Sequence, residues 1–199
     1  MPAELMMWWF KARRAHPVLT AAFGAFVLLL MVFQDNSVVL PSLTGGATQV
    51  VLTLFIPIPL VAALAMCLDS RLFSAESTGV RAVTYLDGGL VVGVAGSAVL
   101  TSALIGAILG DPAIMAAGRN VVFLTGLMLI ARVLLGQPGT LLPMAWVLVV
   151  CLCGFRPGND AYPWTIIPEP LGAPHAAAAA ALMFGAGLAV QIRIARNSR

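Results

Sequence analysis

The side chains that most often do chemistry are scarce in this chain. It has eight acidic residues, two histidines, three cysteines and a single lysine among 199 residues. Glu4, Asp35, Asp69, Glu76, Asp87, Asp111, Asp160 and Glu169 all map to loops or to the ends of apolar runs. An ion-coupled carrier would instead hold an ionisable group at membrane depth. His16 and His175 border the first and last apolar runs, on opposite sides. Cys151 and Cys153 lie at i, i+2, about 200° apart around a helix, which one metal ion cannot bridge. With Cys67 they read as small buried apolar groups. No HExxH, no GxSxG and no GK[ST] phosphate loop occurs, since the only lysine is Lys11. The lone Asp87-Gly88-Gly89 lacks the repeated aspartates of a metal-dependent lipid transferase. These absences predict no catalytic residue, no metal ligand and no cofactor in the chain. If ATP and Mg drive its work, another polypeptide binds them.

Composition says where such a chain resides. Hydrophobic residues make up 60% and charged residues 10%, against roughly 45–50% and about 25% in soluble domains. Six apolar runs cover residues 17–33, 47–68, 88–109, 112–135, 140–155 and 174–194. Most reach or approach the roughly 20 residues that cross a hydrocarbon core; the first and fifth are short. In lipid these runs must be helical, because open strand edges would leave backbone groups unpaired. The prediction is an all-α polytopic membrane protein of six transmembrane helices. With the N-terminus inside, Lys11, Arg13, Arg14, Arg71, Arg81, Arg132, Arg193, Arg196 and Arg199 fall on the inner side and only Arg119 and Arg156 outside. That bias sets an N-in/C-in orientation in a plasma (inner) membrane. The net charge of +3 suits anionic lipid headgroups, and no nucleic-acid partner is expected.

Outside the spans, residues 1–16 read as an interfacial amphipathic helix preceding the transmembrane domain 17–199. Leu5, Trp8, Trp9 and Ala12 share one face, with Trp8 and Trp9 as interfacial anchors. The inner loop from Asp69 to Asp87 holds a short helix, capped by Asp69 or Ser70, that presents Leu72, Phe73 and Glu76 to the cytosol. The outer segment 156–174 carries five prolines with Tyr162 and Trp164, and reads as an irregular cap that dips toward the headgroups through Ile166-Ile167. Gly89, Gly93, Ser97 and Thr101 form a four-residue-spaced stripe for helix packing or a dimer interface, and Ala177, Ala181, Gly185 and Ala189 repeat it. Pro57 and Pro59 fall in the middle of the second run, where they predict a kink and a possible hinge.

This layout resembles the permease subunit of an ABC-2-type transporter. Members of that family show a cytoplasmic connecting helix, six spans, a coupling helix between the second and third, and membrane-dipping elements before the sixth. Here those parts would be residues 3–14, the six runs, 71–78 and 156–174. The resemblance implies that Leu72, Phe73 and Glu76 contact a cytosolic ABC ATPase carrying ATP and Mg. It further implies a second permease copy or homologue as partner, and export as the direction of transport. The substrate-binding subunit of an energy-coupling-factor importer shares the six spans and the size, and Ala21 and Ala25 give it a small-residue face in the first run. A membrane enzyme such as a lipid transferase, which the missing aspartates disfavour, is the third reading, and a non-catalytic membrane scaffold is a further one.

Orientation is directly testable. In a background without the native cysteines, single cysteines at Asn36, Ser77, Asp160 and Ser198 should label from outside only at the first and third positions. External labelling at Ser77 would overturn the orientation.

Overall fold

The computed structural model describes residues 15–34, 36–44, 46–69 and 80–197. The fold is mostly helical. In chain order the elements are α1 (Ala15–Val32), a hairpin of β1 (Ser37–Ser42) and β2 (Gly46–Val51), α2 (Pro57–Asp69), α3 (Val80–Leu109), α4 (Pro112–Leu135), α5 (Leu142–Cys153) and α6 (Pro174–Asn197). Among the described residues, four segments are long and apolar enough to cross a membrane: Leu52–Asp69, Leu86–Leu109, Pro112–Leu135 and Pro174–Arg193. The shorter apolar helices are those of the first and fifth runs. The interfacial segment with Trp8 and Trp9, and the inner-loop residues Leu72, Phe73 and Glu76, lie outside the described residues.

The bundle is built around α4, which packs on α2, α3, α5 and α6. Its sequence is apolar on every side, the pattern of a helix with no solvent face. Of its span, 67% is buried within the chain, against 17% for α6. Small residues set the distances. At Gly126 an added Cβ would stand 2.5 Å from the backbone of Met183 and Phe184, and one at Gly187 would stand 2.8 Å from the Gly126 carbonyl oxygen. Glycine is therefore required where α4 and α6 cross. Nearer the start of α4, Gly118 makes room for Val99 and Ser102 of α3.

Several expectations change. The 47–68 run is not one kinked span. Its first part, rich in β-branched residues, pairs as β2 with β1, Val39 opposite Gln49 and Leu40 opposite Thr48. Thr48 and Val50 turn inward while their neighbours face out. Pro57 and Pro59 then stand in the first turn of α2 and not mid-helix. A first turn has no intrahelical acceptor for its N–H groups, so proline costs nothing there. The all-α expectation thus gains a hairpin, and the hinge position becomes a helix start.

The other changes concern polar and small residues. α3 begins at Val80, so Asp87 lies inside a helix and is fully buried, not in a loop. Asp69 ends α2 and pairs with Arg132 of α4. Asp111 caps α4, its carboxylate accepting from the Ala113 N–H at 2.8 Å. The small-residue stripes face outward. Gly89 and Gly93 are exposed, with nothing within 4 Å of where a Cβ would stand, and Ser97 and Thr101 are half-buried beside them. The face of α3 that enters the core carries Val91, Ala95, Ala98, Ser102 and Ile105 instead. Likewise Ala177, Ala181, Gly185 and Ala189 are exposed, while Ala176, Ala180 and Gly187 of α6 face α4.

Gly126→Ala should lower the unfolding temperature of the detergent-solubilised protein, with a cost of about 1–3 kcal/mol for the forced overpacking. Gly24→Ala, at a helical position with open space, should leave it unchanged or raise it slightly. Equal unfolding temperatures for the two variants would refute the close α4–α6 crossing.

Candidate functional site

One end of the bundle carries a long irregular segment and a hairpin. Residues 154–173 fold there as a cap, and the β1–β2 hairpin lies beside them. The cap starts with a narrow loop in which Phe155 bridges Ala161, the Tyr162 N–H donates to the Gly154 carbonyl at 2.9 Å, and the Arg156 N–H to that of Asp160 at 2.8 Å. Beyond a short turn at Pro163–Thr165, the chain reverses at Ile166. There the Ile167 N–H donates to the Thr165 carbonyl at 2.6 Å, a γ-turn that holds Ile166 at φ +59°. A β-branched residue in that region is strained, by about 1–3 kcal/mol.

Proline content explains what holds this shape. Pro168 and Pro170 contribute carbonyls but no N–H, so the stretch is rich in acceptors and poor in donors. Arg119 of α4 supplies the donors. Its guanidinium donates to the carbonyls of Glu169 at 2.6 Å, Pro170 at 3.0 Å, Ile166 at 3.1 Å and Ile167 at 3.2 Å. Asn120 adds its amide to the Ile167 carbonyl at 3.1 Å, and its own oxygen accepts from Arg119 at 3.3 Å. Ile167 and Thr165 are thereby buried in the protein, so this part of the cap packs inward and does not dip through Ile167. An aromatic run continues the attachment. The Arg156 guanidinium lies 4.7 Å over the Tyr162 ring, Tyr162 stacks on Trp164, Trp164 meets Trp146 edge-on at 6.0 Å, and Trp146 reaches Phe123 in the core.

The hairpin is clasped to the end of α5 and to the cap by hydrogen bonds. The Leu43 N–H and the Ser42 hydroxyl both donate to the Leu152 carbonyl, at 2.8 and 2.9 Å, and the Thr44 hydroxyl donates to that of Phe155 at 2.8 Å. Asn159 imitates a strand residue, its side-chain amide accepting from the Gln49 N–H at 2.8 Å and donating to the Gln49 carbonyl at 3.2 Å. Asn159 sits at φ +74°, a conformation Asn tolerates better than most residues. Between hairpin and cap lies an open recess of about 470 Å³. Val51, Leu54 and Phe155 form its apolar wall, and Arg156, Asp160 and Glu169 bring charge to it.

At the opposite end, Arg132 and Asp69 form the ion pair that joins α4 to α2. Cys67 and Cys151 are buried and Cys153 half-buried, and none of the three is in a disulfide with another. Among the described residues, no three His, Cys, Asp or Glu side chains are grouped to hold a metal ion. Arg119 entered the sequence reading only as an outer charge. The signal that could have found its role is the pair Arg119-Asn120, polar and adjacent inside an otherwise apolar run. No protein-family model, curated protein or solved structure matches the chain.

Arg119→Gln strands several buried carbonyls at once and should cost about 3 kcal/mol, at the upper end for unsatisfied buried polar groups. Arg119→Lys should recover only part of this, since an ammonium cannot span the fork that a guanidinium does. Thermal unfolding and protease cleavage within 154–173 would measure both. A glutamine variant as stable and as resistant as wild type would refute the anchoring role.

Proposed function

We infer that the chain is the transmembrane permease subunit of an ABC-2-type transporter, crossing the membrane six times with both termini cytoplasmic. The observation that supports this most is the cap: a folded-in segment before the last helix, anchored on the central helix at one end of the bundle. In this reading the cap covers the outer mouth of an export path. The Asp69–Arg132 end faces the cytosol, where the 69–87 loop meets the ATPase. The separation of Arg119 and Arg156 at the cap from Arg132 at the far end agrees with the charge bias. The outward-facing Gly89, Gly93, Ser97 and Thr101 then serve as the seam with a second permease copy. Energy comes from ATP and Mg on the partner subunit. A second reading, the substrate-binding subunit of an energy-coupling-factor importer, is favoured by one observation, the open recess at the cap end, which suits capture of a solute from outside.

The test is retention of the ATPase subunit on immobilised permease. Phe73→Ala should weaken retention by about 2 kcal/mol, the scale of a buried aromatic anchor, without affecting membrane insertion. Glu76→Lys should weaken it as well. Retention equal to wild type in both variants would remove the assignment of the loop as a coupling element.

A further inference from the structure

The cap end of the bundle is stepped. α3 and α4 meet at Gly110, and Asp111 caps α4 there. Asn120, eight residues into α4, reaches the Ile167 carbonyl with its short side chain, so the cap floor lies about 12 Å below that turn. Trp164 lies deeper, in ring contact with Trp146, which in turn meets Phe123. From Arg119 at this floor to Arg132, paired with Asp69 at the other end, α4 covers about 20 Å. α2 and α5 have 13 and 12 residues, about 20 and 18 Å. The apolar part of α3 has 24 residues, about 36 Å. A hydrocarbon core is about 30 Å thick, so the flank of α2 and α5 falls roughly 10 Å short of it. The backbone at the end of α5 agrees with that depth. The carbonyls of Val150, Leu152, Gly154 and Phe155 all accept hydrogen bonds, as an ending below the headgroups requires.

Arg156 stands exposed above this floor, its guanidinium 4.7 Å over the Tyr162 ring. Stacking occupies the face of the guanidinium and leaves the N–H groups on its edge, which no acceptor among the described residues takes. The nearby carboxylates ask for no ligand: Asp160 is exposed to water, and Glu169 has His175 at 3.7 Å and Arg119 beside it. Along α5, Leu148, Val149 and Leu152 are exposed, and Leu43 at the hairpin tip, 81% exposed, is tied by its N–H to the Leu152 carbonyl.

We propose that this step binds a phospholipid of the leaflet at the cap end. On the short flank the bilayer thins, and the headgroups descend to the level of the cap. Arg156 donates to the phosphate, whose oxygens match the fork of a guanidinium, and an acyl chain lies along Leu43, Leu152 and Leu148. A soluble anion would use Arg156 alone, and a lipid without phosphate only the apolar strip. The inference rests on the chain crossing a membrane, and not on the ATPase or on which side the cap faces.

The experiment is a tryptophan-quenching titration of the full chain in detergent, with Trp8→Phe and Trp9→Phe so that Trp146 and Trp164 report. The probe is phosphatidylglycerol with dibrominated acyl chains. Diacylglycerol with the same chains is the counterpart without phosphate. The phospholipid should quench saturably, and the diacylglycerol should bind at least roughly ten-fold more weakly, the scale of one lost charged contact. Arg156→Gln should weaken the phospholipid to a similar degree, and Arg156→Lys by less. Thermal unfolding checks that each variant is folded; should Arg156→Gln not fold, Arg156→Lys serves, with the same direction expected. Inorganic phosphate should not displace the phospholipid. Absent saturation, equal binding of diacylglycerol, undiminished binding in a folded Arg156 variant, or displacement by inorganic phosphate would each overturn the proposal. No ATPase takes part, so this result and ATPase retention are independent.

Discussion

Backbone carbonyls at the end of a membrane bundle need donors, and a segment written with prolines cannot supply its own. That shortage organises the cap. Pro168 and Pro170 remove two N–H groups from a five-residue stretch, and the γ-turn at Ile166 turns its carbonyls toward α4. One side chain carries enough donors in a planar fork to meet them, and Arg119 occupies the position where they converge. The strain at Ile166 persists because the surrounding bonds over-determine it. From this anchor the cap positions Thr165 and Tyr162, and through Gly154 and Phe155 it offers the edge on which the hairpin is clasped. Recess, clasp and aromatic run all depend on that donor.

The rest of the bundle depends on close approach to α4. Association of helices in lipid draws on packing and not on water release, so glycines at crossings count for more than apolar content. Gly126 with Gly187, and Gly118 with Ser102, bring α6 and α3 near enough to bury a helix that has no polar face. α3 and α6 then expose a second set of small residues, Gly89, Gly93, Ala181 and Gly185 among them. Small side chains occur on both faces of these helices, and among the described residues the inward set is the one engaged within the chain.

The four long apolar helices were legible because membrane solvent imposes a length and a composition. The runs 112–135 and 174–194 begin where the helices begin, each at a proline suited to a first turn. The 47–68 run was misread for a physical reason. Hydropathy does not separate an apolar strand from an apolar helix, and the β-branched Thr48, Val50 and Val51 weigh toward the strand. The start of α3 was misplaced because a helix needs no apolar residues to continue past the hydrocarbon, and Asp87 was carried inward with it. The stripe at Gly89 lies on the outward side of α3, and spacing alone cannot say which partner a face meets. In the cap, prolines were recognised as helix breakers, whereas their deeper effect is an excess of acceptors. That excess points across about fifty residues to Arg119, a distance local pattern does not reach.

The same separation has a meaning for biogenesis. Pro170, the most distant acceptor of the guanidinium, follows Arg119 by 51 residues. Synthesis therefore delivers the charge to the membrane long before the groups that neutralise its donors exist. Until the cap emerges, α4 carries an arginine and an asparagine with no protein partner there, an expensive passenger for a spanning helix. The inexpensive course is for the first turns of α4 to remain in the hydrated interface, or in the insertion machinery, while α5 is made. The donors of Arg119 thus find their acceptors only once residues 166–170 have been made.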